Sequence, residues 1–354
     1  MTALTKPARP EEDDPSLRPV PWQRMAWVTW RQHRLALAGV AVFLGALAVL
    51  LWLAGLKTHH VYAAAVAACQ SGASDACYSM SNTLTGTNGF LSNGGILNAV
   101  PVLIGAFVGA PVLARELETG TFRYAWTQGF GRWRWTLAKL VPLAVALATA
   151  AGVFSLLLDW YYQPYFSASN QALGLSGYTP FYPALFSLRG VGFAAWTLVA
   201  FSIGALAGLL IRRVVPAIAA TLAAYTALAF AAGAWLRPNY MTPAVSSNLN
   251  VSESAWVMSQ WWTKDGKFAF AGPPSQRLLN QYCPTGPAGP VGPGGAPKAT
   301  ALGQCLTPHG YTQWTSYQPA SRFWPFQWIE GGWLLVLSAL LIAVTVWLVR
   351  RRAT

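Results

Sequence analysis

Charge is what this sequence has least of: Asp, Glu, Lys and Arg make up 10% of its 354 residues, against roughly 25% in a soluble domain. That deficit excludes an ordinary water-soluble fold, which needs a charged shell however large its core. Catalytic equipment is scarce as well. There are four histidines and eleven carboxylates, and no G-x-x-x-x-G-K-[ST] phosphate loop, H-E-x-x-H zinc helix or nucleophile with a matching base. The four cysteines lack C-x₂₋₄-C spacing, and with only His59, His60 and His309 nearby a zinc site is the weaker use for them. The net charge of +13 does not indicate nucleic-acid binding, because the bases form no patch interleaved with aromatics outside the flanks of apolar runs.

What the chain does have is apolar length. Runs almost free of charge cover 35–56, 94–114, 136–158, 190–211, 214–236 and 331–349, each near the ~20 residues a helix needs to cross hydrocarbon. The expected fold is therefore an all-α integral membrane protein with six transmembrane helices. With a cytoplasmic N-terminus, the inner segments hold Lys6, Arg9, Arg18, Arg24, Arg31, Arg34, Arg115, Arg123, Arg132, Arg134, Lys139, Arg212, Arg213, Arg350, Arg351 and Arg352, sixteen of the 24 bases. The remaining eight are spread over longer outer segments, so the inside bias places both termini in the cytoplasm. The first apolar run follows 34 residues that include Glu11, Glu12, Asp13 and Asp14, which excludes a signal peptide. Val66-Ala-Ala-Cys69 resembles a lipoprotein box, but Lys57, His59 and His60 separate it from the apolar core.

Outside the spans, 1–19 reads as a disordered leader rich in proline and charge. Residues 20–34 carry Trp22, Met25, Ala26 and Thr29 at helical spacing, with Trp30 near the next span. This pattern suits an amphipathic helix lying on the inner surface, and equally a plain extension of the first span. The outer segments are 57–93, 159–189 and 237–330. The last is the largest, with Gly286, Gly289, Gly292 and Gly295 in a polyproline-like linker. All four cysteines fall in outer segments, and local pairing of Cys69 with Cys77 and Cys283 with Cys305 is the expected connectivity. Tyr317, Phe323, Trp324, Phe326, Trp328 and Trp333 crowd the entry to the last span as an interfacial belt, with a substrate exit site or a plug over the outer helix ends as the alternatives. Residues 331–354 form that span and its basic tail.

No ionisable group is expected at membrane depth: Glu116 and Glu118 sit at the inner end of span two, Asp159 at the outer end of span three, and Glu330 just outside span six. An intramembrane enzyme or proton-coupled carrier needs such groups, so uphill transport would take its energy from another subunit. Gly105-x-x-x-Gly109 and Gly204-x-x-x-Gly208 provide surfaces for close helix packing, within the chain or at a dimer seam.

The segment joining spans two and three, 115–135, is the most informative. Glu116 and Glu118 favour a helix N-terminus, Gly120 permits a bend, and Arg132, Arg134 and Lys139 anchor the next helix at the inner surface. It resembles the E-x-E-x-G-T segment of type-2 ABC exporter permeases, followed there by an arginine and a lysine, through Glu116, Glu118, Gly120, Thr121, Arg132 or Arg134, and Lys139. Trp27-Val-Thr-Trp-Arg-Gln-His-Arg34 and Tyr317-Gln-Pro-Ala-Ser-Arg-Phe-Trp-Pro-Phe-Gln-Trp328 are similar to an actinobacterial subgroup. The resemblance implies a plasma-membrane half-transporter: two permease copies, and two copies of a separate P-loop ATPase that binds ATP and Mg, with no cofactor in this chain. It further implies that Glu116, Glu118, Gly120, Thr121, Phe122, Arg123 and Trp126 couple to the ATPase. The long segment between spans five and six departs from the family pattern. The alternative to an exporter of a small hydrophobic or amphipathic substrate is a membrane-anchored scaffold that presents this segment to a partner.

Overall fold

A computed structural model describes residues 21–71, 75–77, 79, 83, 96–120, 132–166, 179–247, 251, 254–283 and 299–351. Among the described residues six helices are long and apolar enough to span a membrane: α1 (Trp22–Gln70), α2 (Ala99–Thr119), α3 (Arg132–Phe166), α4 (Gly192–Ile211), α5 (Val214–Asn239) and α6 (Phe323–Arg351). Arg115, Arg132, Arg212 and Arg350 mark one end of the bundle, here the basic end; a small β-sheet marks the other, the sheet end.

α4 is the central helix, packed against α2, α3, α5 and α6. It is uniformly apolar, as a helix buried all round should be. Its approach to α2 is set by the two glycine pairs. A Cβ on Gly109 would stand 2.6 Å from Phe201 O, one on Gly204 2.7 Å from Ala110 N, and one on Gly208 would strike Ala110 O. In lipid, where apolar burial gives no net drive between helices, such backbone contact supplies the packing. Between the two glycines α2 widens into one π-helical turn, Gly105–Gly109, at the crossing. The GxxxG motifs thus meet each other inside the chain.

α1 lies along α3. Thr29 donates to Ala138 O at 3.0 Å, and Gly55 leaves room for the Trp160 ring. His59 Nε2 is 2.9 Å from Trp160 O, with the two rings stacked at 4.7 Å. The expected surface helix at 20–34 is the first part of this one continuous helix, which also runs past the expected span end to Gln70. Nothing between Pro21 and Gln70 could break it, since the stretch contains no proline.

The all-α expectation is corrected at the sheet end. Between α5 and α6 lies a four-stranded antiparallel sheet in the order β1-β4-β2-β3, formed by β1 (Ala244–Ser246), β2 (Trp256–Lys264), β3 (Lys267–Ala271) and β4 (Tyr311–Gln318). Asp265 and Gly266 close the β2–β3 hairpin with φ of 49° and 80°, the left-handed pair that suits strand twist. Helices Gln276–Tyr282 and Ala299–Leu306 cover one sheet face through Trp262, Cys283, Leu306 and Tyr311. The Cys283–Cys305 disulfide joins them, and Cys69–Cys77 ties the end of α1. Cys69 is therefore not available for lipidation. The Gly286–Gly295 segment lies outside the described residues.

Candidate functional site

The joining segment is held by the helices on either side of it. α2 ends where Gly120 turns left-handed at φ 73°, a conformation that glycine adopts without strain. Glu116 and Glu118 occupy the last turn of α2, not a first turn as expected, so the dipole of their own helix opposes them. Each is compensated from elsewhere. Glu118 accepts a hydrogen bond from Val214 N at 3.1 Å, capping the start of α5 from 96 residues away. Glu116 forms an ion pair with Lys139.

Lys139 is 3% exposed, so it does not anchor α3 at the surface as expected; it is an internal cation beneath the joining segment. It lies 4.3 Å from the Trp135 ring, and His33 of α1 is close enough to feel its charge and that of Arg115. Arg134 does take a rim position, 5.0 Å over Trp22, which also meets Trp133 edge-on. Arg132 opens α3 and is partly exposed. The structure thus brings Glu116, Glu118, Lys139 and the starts of α1, α3 and α5 into one cluster. Thr121, Phe122, Arg123 and Trp126 lie outside the described residues.

At the opposite end is a second polar cluster, which the sequence placed in an outer loop. α6 begins at Phe323, so Glu330 is inside the helix and fully buried. Its carboxylate takes a two-pronged contact from Arg237, Nη2 to Oε1 at 2.8 Å and Nε to Oε2 at 3.0 Å. Trp196 Nε1 donates to Oε1 at 2.9 Å and Tyr240 OH to Oε2 at 3.2 Å. Arg237 Nη2 also reaches Ser187 Oγ at 3.0 Å. Burial, then the nearby Glu330 charge, raise the Tyr240 phenol above its ordinary pKa, so it remains a donor. A buried ion pair repays its desolvation only when geometry and remaining hydrogen bonds are satisfied, as they are here. The π turn Ala232–Leu236 immediately precedes Arg237 and shifts the register with which it meets α6.

Gln327 stitches the same corner, donating to Phe186 O at 2.8 Å and accepting from Gly192 N at 2.9 Å. Asp159 pairs with Arg189 at 2.6 Å. The aromatic crowd divides in two. Phe323 and Phe326 are buried with Phe181 and Phe186 and pack with the half-buried Trp256, fastening the sheet to the spans, while Trp324 and Trp328 face outward at 53% and 63% exposure. Lys139 and Asp159 are twenty residues apart on α3, and Glu330 and Arg350 twenty apart on α6, about 30 Å of helix in each case. That is the thickness of the hydrocarbon, so on both helices charged residues bracket a charge-free stretch.

Residues 29–237, more than half of the chain, match the family described as ABC-2 membrane transporter related. The chain belongs to that family. ABC-2 permeases are integral membrane proteins that in general work with an ATPase subunit. Neither a curated protein nor a solved structure matches the chain. The ABC-2 match stops at Arg237, so the Arg237–Glu330 pair joins the matched region to α6 beyond it.

Proposed function

We propose that this ABC-2 permease is the membrane half of an ATP-driven exporter in the plasma membrane, moving a small hydrophobic or amphipathic substrate outward. Both termini and the basic end face the cytoplasm, in keeping with the distribution of arginine and lysine. A separate P-loop ATPase binds ATP and Mg and docks on the segment from Glu116 to Trp126; two permease copies and two ATPase copies make the working unit. This chain does no chemistry of its own.

The observation that carries this reading is the cluster under the joining segment. Glu116 is tied to α3 through Lys139, and Glu118 to α5 through Val214 N, so a push on the end of α2 reaches both of those helices directly. α4, packed on α2 through glycine backbone contacts, carries the displacement into the bundle. Rigid elements joined by satisfied polar contacts transmit movement of this kind.

The test is co-purification followed by reconstitution. An ATPase recovered with the chain, whose turnover in vesicles depends on it and on an exported substrate, supports the proposal. A stable complex formed through the sheet, with no ATPase, would support the scaffold reading instead.

A further inference from the structure

α4, α5 and α6 do not close on one another towards the basic end. They leave a groove of about 300 Å³ lined by Ile203, Leu206 and Leu210 of α4, Ala220 and Ala224 of α5 and Leu341 of α6. The lining is almost wholly apolar and open to the side, and Leu210 is 45% exposed. Directly beyond the end of α4 come Arg212 and Arg213, both exposed. Arg212 holds φ of 59°, a left-handed conformation that non-glycine residues seldom adopt. Among the described residues neither guanidinium has a side-chain hydrogen bond or ion pair; Glu118, the nearby carboxylate, is engaged with Val214 N.

An apolar slot along the spans, followed in the chain by two exposed arginines where α4 ends, matches the two halves of one molecule. We propose that the groove binds an acyl chain of an anionic glycerophospholipid whose phosphate is held by Arg212 and Arg213. The slot admits a chain and excludes a headgroup, because it has no polar lining. The guanidiniums supply planar donors suited to phosphate oxygens. A zwitterionic lipid would fill the slot equally well and gain less from the arginines, so selectivity rests in the headgroup. The inference does not depend on the direction of transport.

The full chain is purified from mixed phosphatidylglycerol and phosphatidylcholine vesicles with identical acyl chains, and retained lipid is counted by native mass spectrometry. Phosphatidylglycerol should be retained roughly thirtyfold over phosphatidylcholine, from two basic contacts near the surface. Arg212→Gln with Arg213→Gln should abolish that preference without lowering total retention. Ala220→Leu, which narrows the slot, should lower retention of both lipids. Equal retention by the unmodified chain, or a preference that survives loss of both arginines, would overturn the proposal. A diazirine-bearing phosphatidylglycerol tests the site on unmodified protein: adducts on α4 203–210, α5 220–224 or Leu341 support it, and adducts confined to other helices refute it.

Discussion

Arg237 and Glu330, 93 residues apart in sequence, form one buried two-pronged ion pair that locks α5 to α6 beside the sheet. Removing one partner strands the other charge. Glu330→Ala is expected to destabilise the fold by roughly 3–5 kcal/mol, read as a lower midpoint in detergent thermal unfolding. Glu330→Gln, which keeps acceptor and shape, should cost less. An unchanged midpoint for Glu330→Ala would mean that the pair is not buried.

The pair at the basic end predicts an asymmetry. Lys139 has 4% of its side chain exposed and Glu116 20%. Glu116→Ala therefore leaves an unpaired ammonium with no water, whereas Lys139→Met leaves a carboxylate that can still hydrate. The first variant should be less stable by at least roughly 1–2 kcal/mol relative to the second. The reverse order would contradict the burial of Lys139.

Glu118 has two separable roles. As a cap on α5, its loss in Glu118→Ala should cost about 1 kcal/mol, and Glu118→Gln, which retains an acceptor, less. As part of the proposed docking face, Glu118→Lys should lower ATPase stimulation well below the level of Glu118→Ala while insertion stays normal. Equal stimulation in the Lys and Ala variants would remove the coupling role and leave the cap.

The glycine crossing gives the sharpest structural test. Gly204→Ala sets a methyl against Gly105 O and Ala110 N, an overpacking expected to cost at least ~1–3 kcal/mol. Gly39→Ala, which meets nothing within 4 Å, serves as control. Equal yields of folded protein would show that α2 and α4 do not cross at these glycines.

Closing the 22-residue separation between Cys283 and Cys305 should stabilise the sheet unit by roughly 3 kcal/mol. Paired replacement of both cysteines by alanine should therefore speed proteolysis between β3 and β4 and leave the spans intact. An unchanged cleavage rate would argue against the bond.

Much of this plan is legible in the sequence because the bilayer enforces it. Charge-free runs of fixed length name six spans, and GxxxG names the surfaces that can touch. Pairings across the chain are not legible. Nothing local says that Glu118 caps a helix starting at Val214, or that Lys139 turns inward, since both depend on where helices distant in sequence come to rest. Glu330 is misplaced by composition alone: a carboxylate ends an apolar run, yet Phe323 to Ile329 are helical and the acid is inside. The sheet did leave a signal, Lys264-Asp-Gly-Lys267 between aromatic-rich alternating segments, a hairpin pattern masked by the long polar stretch around it.

The length of α1 has a mechanical consequence. From Thr29, where it bonds to α3, to Gln70, beside the Cys69–Cys77 bond, it extends roughly 60 Å at 1.5 Å per residue. Tilting such a rod by about 5° at Thr29 would sweep its far tip through roughly 5 Å. A small rotation beside Lys139 would thus be felt on the opposite face of the membrane, first at the His59–Trp160 contact between α1 and α3, without passing through the crowded centre of the bundle.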